Sequence, residues 1–177
     1  MTEDKNTSFL NNLLNVSIEA AKPNFVALNE KFPRPVKGRT IIIGAGKASG
    51  LMAKSFEDAA NLYWSPEEFS RIEGRVITRY GHAISCERIR VTEAAHPVLD
   101  DMGEVGVQQI LELLKTLQSD DQVICLFSGG GSALMALPAD GVSIEDKKSI
   151  NQQLLASGAT IHEMNCVRKH LSKIKGG

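Results

Sequence analysis

The sequence has no surplus of charge of either sign: 20 Lys and Arg stand against 21 Asp and Glu, a formal net charge of −1 over 177 residues. Non-specific binding to nucleic acid needs an excess of cations to neutralise phosphates, so a nucleic-acid partner is not expected. Cysteine is scarce. Cys86, Cys125 and Cys166 are an odd number without a C-x-x-C pair, which argues against a disulfide framework or a four-cysteine zinc site and suits a reducing cytoplasm. Long apolar runs are missing too. Stretches such as Val123 to Phe127 fall far short of the roughly 20 residues that span a bilayer, so no membrane partner is expected. Met1-Thr-Glu-Asp-Lys-Asn lacks the basic and apolar regions of a signal peptide. Internal repeats and low-complexity tracts are absent as well.

What is present suits an ordinary globular domain. At 42% hydrophobic and 23% charged residues the chain is not of the disordered class, and at this length it should bury about 70% of its unfolded surface without a disulfide or metal staple. Phe9, Leu10, Leu13, Leu14, Ile18 and Ala21 recur at spacings of three and four, which predicts an amphipathic helix over 8–21. Pro23 starts or kinks a second helical stretch over 24–31, stopped by Pro33 and Pro35. Residues 1–35 are therefore expected to be helices packing on a domain formed by 36–177.

That domain alternates strands and helices. Thr40-Ile-Ile-Ile43 runs into Gly44-Ala45-Gly46, the pattern of a strand buried on both faces of a parallel sheet. Helical spacing follows over 47–60, strands are expected over 74–81 and 89–95, and Asp100 or Asp101 can cap a helix over 101–117. A fourth strand, Gln122 to Phe127, ends in Ser128-Gly-Gly-Gly-Ser132, and Ser143-x-x-Asp146 and Thr160-x-x-Glu163 read as capping boxes. Gly158 and Gly176 stand where helix-ending glycines belong. The expected fold is a three-layer α/β/α sandwich with a mostly parallel, Rossmann-like sheet. Ligands in such sheets bind at the carboxyl ends of the strands, where both glycine turns lie.

Neither turn matches a familiar phosphate motif. Ser49 replaces the third glycine of G-x-G-x-x-G, and Arg79 and Tyr80 stand where the dinucleotide motif wants an acid. A P-loop would need Ser or Thr at Ala48 and glycine at Ile41. Gly44 and Gly46 nevertheless allow close backbone approach, and Lys47 is expected in the first turn of the next helix, against its dipole, where an anionic ligand would favour it. The alternative is a tight turn with a solvated lysine. Gly129, Gly130 and Gly131 cost chain entropy on ordering, so an anion nest with Ser128 and Ser132 as added donors is a reason for them. Leu134, where G-x-S-x-G wants glycine, speaks against a serine hydrolase. At the third strand end, His96 is a candidate for acid–base work or substrate binding, and Asp100 or Asp101 for Mg²⁺ or simple capping. His162, Cys166 and His170 share one helical face but lack matching carboxylates, so no metal site is assigned; Ile161, Met164, Val167, Leu171 and Ile174 read as core. Arg168, Lys169, Lys173 and Lys175 form a basic segment, either a solvated helix end or the neighbour of a phosphorylated ligand.

In order, Gly44-Ala-Gly-Lys-Ala-Ser49, Tyr80-Gly-His82, Glu93-Ala-Ala-His-Pro97, Ser128-Gly-Gly-Gly-Ser-Ala-Leu134, Ser157-Gly-Ala-Thr-Ile-His-Glu-Met-Asn165, Val167-Arg-Lys-His-Leu-Ser172 and Lys175-Gly-Gly177 resemble the N-terminal domain of the bacterial and archaeal glycerate 2-kinases. That family, long labelled hydroxypyruvate reductase, carries a second, C-terminal domain called MOFRL. Leu99 departs from its usual His-Pro-Val-Pro-Asp. The resemblance implies a cytoplasmic enzyme that uses ATP and Mg²⁺ to phosphorylate D-glycerate at the 2-hydroxyl, giving 2-phosphoglycerate. This chain would supply the N-terminal half of the site and would not be active alone. It further implies Lys47 as the catalytic lysine, the 128–132 loop as a cradle for nucleotide or glycerate oxygens, and His96, Asn165 and Arg168 as lesser members of the cleft. A homodimer is left open. The rival readings are an NAD(P)H-dependent hydroxypyruvate reductase and a non-catalytic nucleotide-binding fragment.

Overall fold

The β-branched run at 40–43 does form the central strand. Ile41 and Ile42 are both fully buried, and since successive side chains point to opposite faces, both faces of strand β1 (Thr40–Ala45) must be covered. β2 (Ile72–Arg79) and β4 (Gln122–Phe127) flank β1, and β3 (Ile89–Ala94) pairs on β2. The result is a four-stranded sheet in the order β3-β2-β1-β4, parallel at every pairing, with Ala45 opposite Ile77 on one side and Phe127 on the other. The structure, a computed structural model, describes residues 5–176. Met1 to Asp4, used above for the signal-peptide reading, and Gly177 of the last motif lie outside the described residues.

Two layers of helix cover the sheet. On one face α2 (Ser49–Tyr63) packs Ala53 and Phe56 against Ile42, Val76, Ile89 and Leu126. On the other, α4 (Asp101–Lys115) and α5 (Gly131–Leu134) pack Val107, Ile110 and Leu134 against Ala45, Ile77 and Ala94. Between α2 and β2 lies α3 (Pro66–Ser70), closed by a Ser65–Glu68 capping box. It has no counterpart among the expected elements, because five residues are too few for helical periodicity to register. The strand after it accordingly begins and ends two residues before the expected 74–81. Beyond α5 follow α6 (Ile144–Ala156) and α7 (Ile161–His170), each with its expected capping box. None of the described helices is long and apolar enough to cross a membrane.

The apolar stripes of the outer helices differ from expectation. α1 (Lys5–Ala21) forms, but none of its residues is buried, and Phe9, Leu10, Leu13, Leu14 and Ile18 face solvent. The 3₁₀ segment Phe25–Lys31 and Phe32 make the contacts with the body instead. Phe25, Phe32, Tyr63 and Trp64 gather with Phe56 at ring separations of 5.1 to 5.9 Å, and Trp64 Nε1 donates to the Pro33 carbonyl at 3.0 Å. On α7, Ile161 and Val167 are exposed where core was expected. Helical spacing sets which residues share a face; what covers that face depends on distant parts of the chain.

The amino ends of β1 and β4 are clamped by one carboxylate. Asp121 accepts the Arg39 backbone amide at 2.6 Å, the Arg39 guanidinium at 2.8 Å and the Gln118 amide at 3.0 Å. These donors, the guanidinium first, hold its carboxyl down to about 2. A carboxyl depressed on folding adds stability above its unfolded value of about 3.9 and loses it as pH falls through the folded value. Asp121→Asn is therefore expected to lower stability at pH 7 and to flatten the fall in stability between about pH 4 and 2. Urea titrations at several pH values read both effects, and an unchanged acid limb would contradict them.

Candidate active site

Strand order reverses between β1 and β4: after β1 the chain builds β2 and β3 to one side, then returns to add β4 on the other. At such a switch point the connections leave in opposite directions and a crevice opens at the carboxyl ends of the two strands. The two glycine turns are therefore neighbours, although some 80 residues of sequence separate them.

They are also tied to each other. Lys47 N donates to the Gly129 carbonyl at 2.9 Å, Ala48 N to Ser128 Oγ at 3.0 Å, and Ser128 N to the Ala45 carbonyl at 3.2 Å. Thr78 Oγ1, fully buried on β2, donates to the Lys47 carbonyl at 3.3 Å. Gly46 has φ +146°, and a Cβ there would stand 2.1 Å from Ser128 Oγ, so only glycine lets the first turn lie against the second. Lys47 precedes α2, which starts at Ser49 with Ala48 as its cap. The expectation of Lys47 in the first helical turn is thus corrected: the Gly129 and Thr78 bonds hold its backbone in the turn, leaving the side chain exposed.

Three groups meet at Gly130. Its φ is +88°, and a Cβ built on it would lie 2.7 Å from His96 Nε2 and 3.3 Å from Lys47 Cε. Lys47 and His96, drawn from the ends of β1 and β3, thus converge on one point above the second turn. Burial, followed by the positive charges of Lys47 and Arg79, pushes the His96 imidazole below its ordinary value of 6.5. It is neutral at pH 7 and free to accept a proton. Ser132, Asn165 and Arg168 line, together with Gly130, a cavity of about 440 Å³.

Other candidates make contacts within the fold. Gly44 lies inside β1, where a Cβ would stand 2.1 Å from the Leu126 carbonyl oxygen, and Gly131 is buried 2.7 Å from the Ala45 carbonyl on the same test. Ser128 Oγ accepts the Ala48 amide at 3.0 Å, a bond that ties the two turns and leaves its O–H as a donor. Asp100 caps α4 through the Gly103 amide at 3.1 Å and accepts the Tyr80 hydroxyl at 2.8 Å. Glu93 accepts the amides of His82 and Ala83 at 3.0 and 2.9 Å, so two of the motifs brace one another. His170 Nδ1 is bonded to the Cys166 carbonyl at 2.7 Å, and among the described residues no group of three His, Cys, Asp or Glu is placed to hold a metal ion. Sequence reasoning missed Thr78 as a positioning residue. Its signal is weak, since a threonine is at home in any strand.

Gly130→Ala should cost about 1–3 kcal/mol, from the left-handed backbone and the His96 contact. Gly129 has open space where its Cβ would go, so Gly129→Ala should stay within about 0.5 kcal/mol. Urea melts of the two variants test the contrast; equal losses would contradict it.

Residues 9–177 match the domain family DUF4147, described as a domain of unknown function. A protein of Agrobacterium vitis that carries a hydroxypyruvate reductase name is 44% identical over 95% of this chain and 36% of its own length. A glycerate 2-kinase of Pyrococcus horikoshii is 42% identical over 80% of the chain and 30% of its own length. The D-glycerate 2-kinase of Thermotoga maritima is 40% identical over 91% of the chain and 37% of its own length. The crystal structure of a T. maritima glycerate kinase superposes with a TM-score of 0.77 at 38% identity, over 94% of this chain and 38% of that one. The chain thus spans about a third of the length of these relatives. It belongs to the DUF4147 family, the N-terminal domain of the glycerate kinase family.

Proposed function

We propose that the chain supplies the N-terminal half of a glycerate 2-kinase site, in a protein that transfers a phosphoryl group from ATP to the 2-hydroxyl of D-glycerate, giving 2-phosphoglycerate and ADP. The observation that carries this reading is the convergence of Lys47 and His96 over Gly130 at the switch point. Phosphoryl transfer needs positioning and charge stabilisation more than a nucleophilic side chain. In this arrangement the glycerate 2-hydroxyl attacks the terminal phosphorus, the bond from phosphorus to the ADP oxygen breaks, and the hydroxyl proton passes to neutral His96 Nε2. The Lys47 ammonium stabilises the charge on the phosphoryl oxygens as they transfer.

Mg²⁺ is expected to arrive with the nucleotide, bound mainly by phosphate oxygens and water. Of the carboxylates near the carboxyl end of β3, Glu93 and Asp100 are committed to backbone amides and to Tyr80. The reductase reading, which the A. vitis name favours, would need a nicotinamide site. The first turn has Ser49 in place of the third glycine and Arg79-Tyr80 in place of the acid that binds ribose.

The test uses the complete two-domain protein. With D-glycerate and ATP it should form ADP and 2-phosphoglycerate; oxidation of NADPH by hydroxypyruvate without ADP formation would remove the kinase reading. Lys47→Ala should cut kcat by about 100-fold or more while changing nucleotide affinity far less. Unchanged turnover would take Lys47 out of the chemistry. With His96 pushed down, the acid limb of kcat/KM should lie below pH 6.5 and disappear in His96→Gln; an acid limb that persists in that variant belongs to another group.

A further inference from the structure

The cavity beside Gly130 holds a charge pattern that the transfer step leaves unused. Lys147, Lys148, Arg168 and Lys175 line it, and among the described residues no Asp or Glu does. Lys148 has an outside partner, Glu145 at 3.8 Å, and Glu104 acts on Lys147 only through space. Among the described residues, the other three have no carboxylate within ion-pair distance. Lys147 is 5% exposed on α6, its ammonium donating to the Leu137 carbonyl at 3.2 Å. Arg168 of α7 buries its Nε with no hydrogen-bond partner.

Lys175 is brought there by a return of the chain after α7. Pro138 and Ser172 form an antiparallel bridge, and Lys173 N donates to the Leu137 carbonyl at 3.2 Å. The Lys175 ammonium then reaches the Ser132 carbonyl at the edge of the second turn. Burial, with the charges of Lys147 and Arg168, pushes Lys175 down to about 8. One buried and two half-buried cations gathered at a single cavity repel one another unless an anion neutralises them.

The remaining wall is apolar and open. Val98, Leu155 and Ile161 are 53%, 63% and 54% exposed and line the same cavity. A volume of about 440 Å³ is that of a site for a drug-sized molecule, far more than a three-carbon acid fills. A ligand with several negative charges at one end and an apolar body at the other matches both walls.

We infer that this cavity seats the phosphate donor: the polyphosphate lies against Lys147, Arg168 and Lys175, the base and sugar lie along Val98, Leu155 and Ile161, and the terminal phosphoryl points past Gly130 to Lys47 and His96. Naming the polyanion a phosphate donor rests on the kinase reading. The polyphosphate site itself does not.

Calorimetric titration of this chain with sodium tripolyphosphate, ATP and D-glycerate tests the inference. Lys147→Met and Lys175→Met should each weaken tripolyphosphate and ATP by about 10-fold or more, while Lys175→Arg and all glycerate titrations stay near wild type. ATP should bind more tightly than tripolyphosphate; equal affinity would remove the apolar wall from the site. Unchanged tripolyphosphate binding in both methionine variants, or none in the wild type, would overturn the inference. Should Lys147→Met fail to fold by circular dichroism, the Lys175→Met and Lys175→Arg pair decides alone. If the complete protein does not phosphorylate glycerate yet tripolyphosphate binding still depends on these lysines, the site stands and the kinase reading falls. Phosphorylation with lysine-independent binding would do the reverse.

Discussion

The hydrogen bonds between the two turns are the constraint on which the site depends. Parallel strands β1 and β4 end side by side because strand order reverses there, and each turn then uses the other's backbone to satisfy its own. Ser128 Oγ bonded to Ala48 N fixes the relation of two segments far apart in sequence. Loosening it would free the backbone that carries Lys47 and the glycine beneath His96 together. Glycine at 46 is the steric condition for this contact, and glycine at 130 is the condition for the approach of His96 and Lys47.

Electrostatics here is a local matter. A chain of net charge −1 has no long-range field to draw anions in, and yet its crevice gathers Lys47 and Arg79 around a neutral histidine and Lys147, Arg168 and Lys175 around a cavity. The balancing carboxylates are spent elsewhere, Asp121 on the strand ends, Asp100 on a helix cap and Glu93 on a loop. These acids serve the frame, while the cations line the crevice and the cavity. That division suits a small anionic substrate and a nucleotide, and not a polymer.

Much of this was legible from residue patterns, and the failures have physical causes. The run Thr40–Ile43, both glycine turns and the 143 and 160 capping boxes are local signals, and each appears where expected. The expected helix over 47–60 begins two residues early because periodicity cannot see the bond that the Lys47 amide donates to the Gly129 carbonyl. At Gly44 and Gly131 a Cβ would meet the carbonyls of Leu126 and Ala45 on neighbouring strands, a packing demand that no local pattern reports. Lys147 did carry a signal: it sits three residues before Ile150 and seven before Leu154, a cation within an apolar stripe. The exposed stripe of α1 had none, since periodicity does not report what covers a face.

The claim that two distant turns make one ligand site is tested most directly by amide chemical shifts of this chain during titration with a non-hydrolysable ATP analogue at saturating D-glycerate. The account predicts that Lys47, Ala48, Gly129 and Gly130 shift together, with the His96 ring, along curves that fit one Kd. Shifts confined to one turn, or two turns that titrate with different constants, would contradict it.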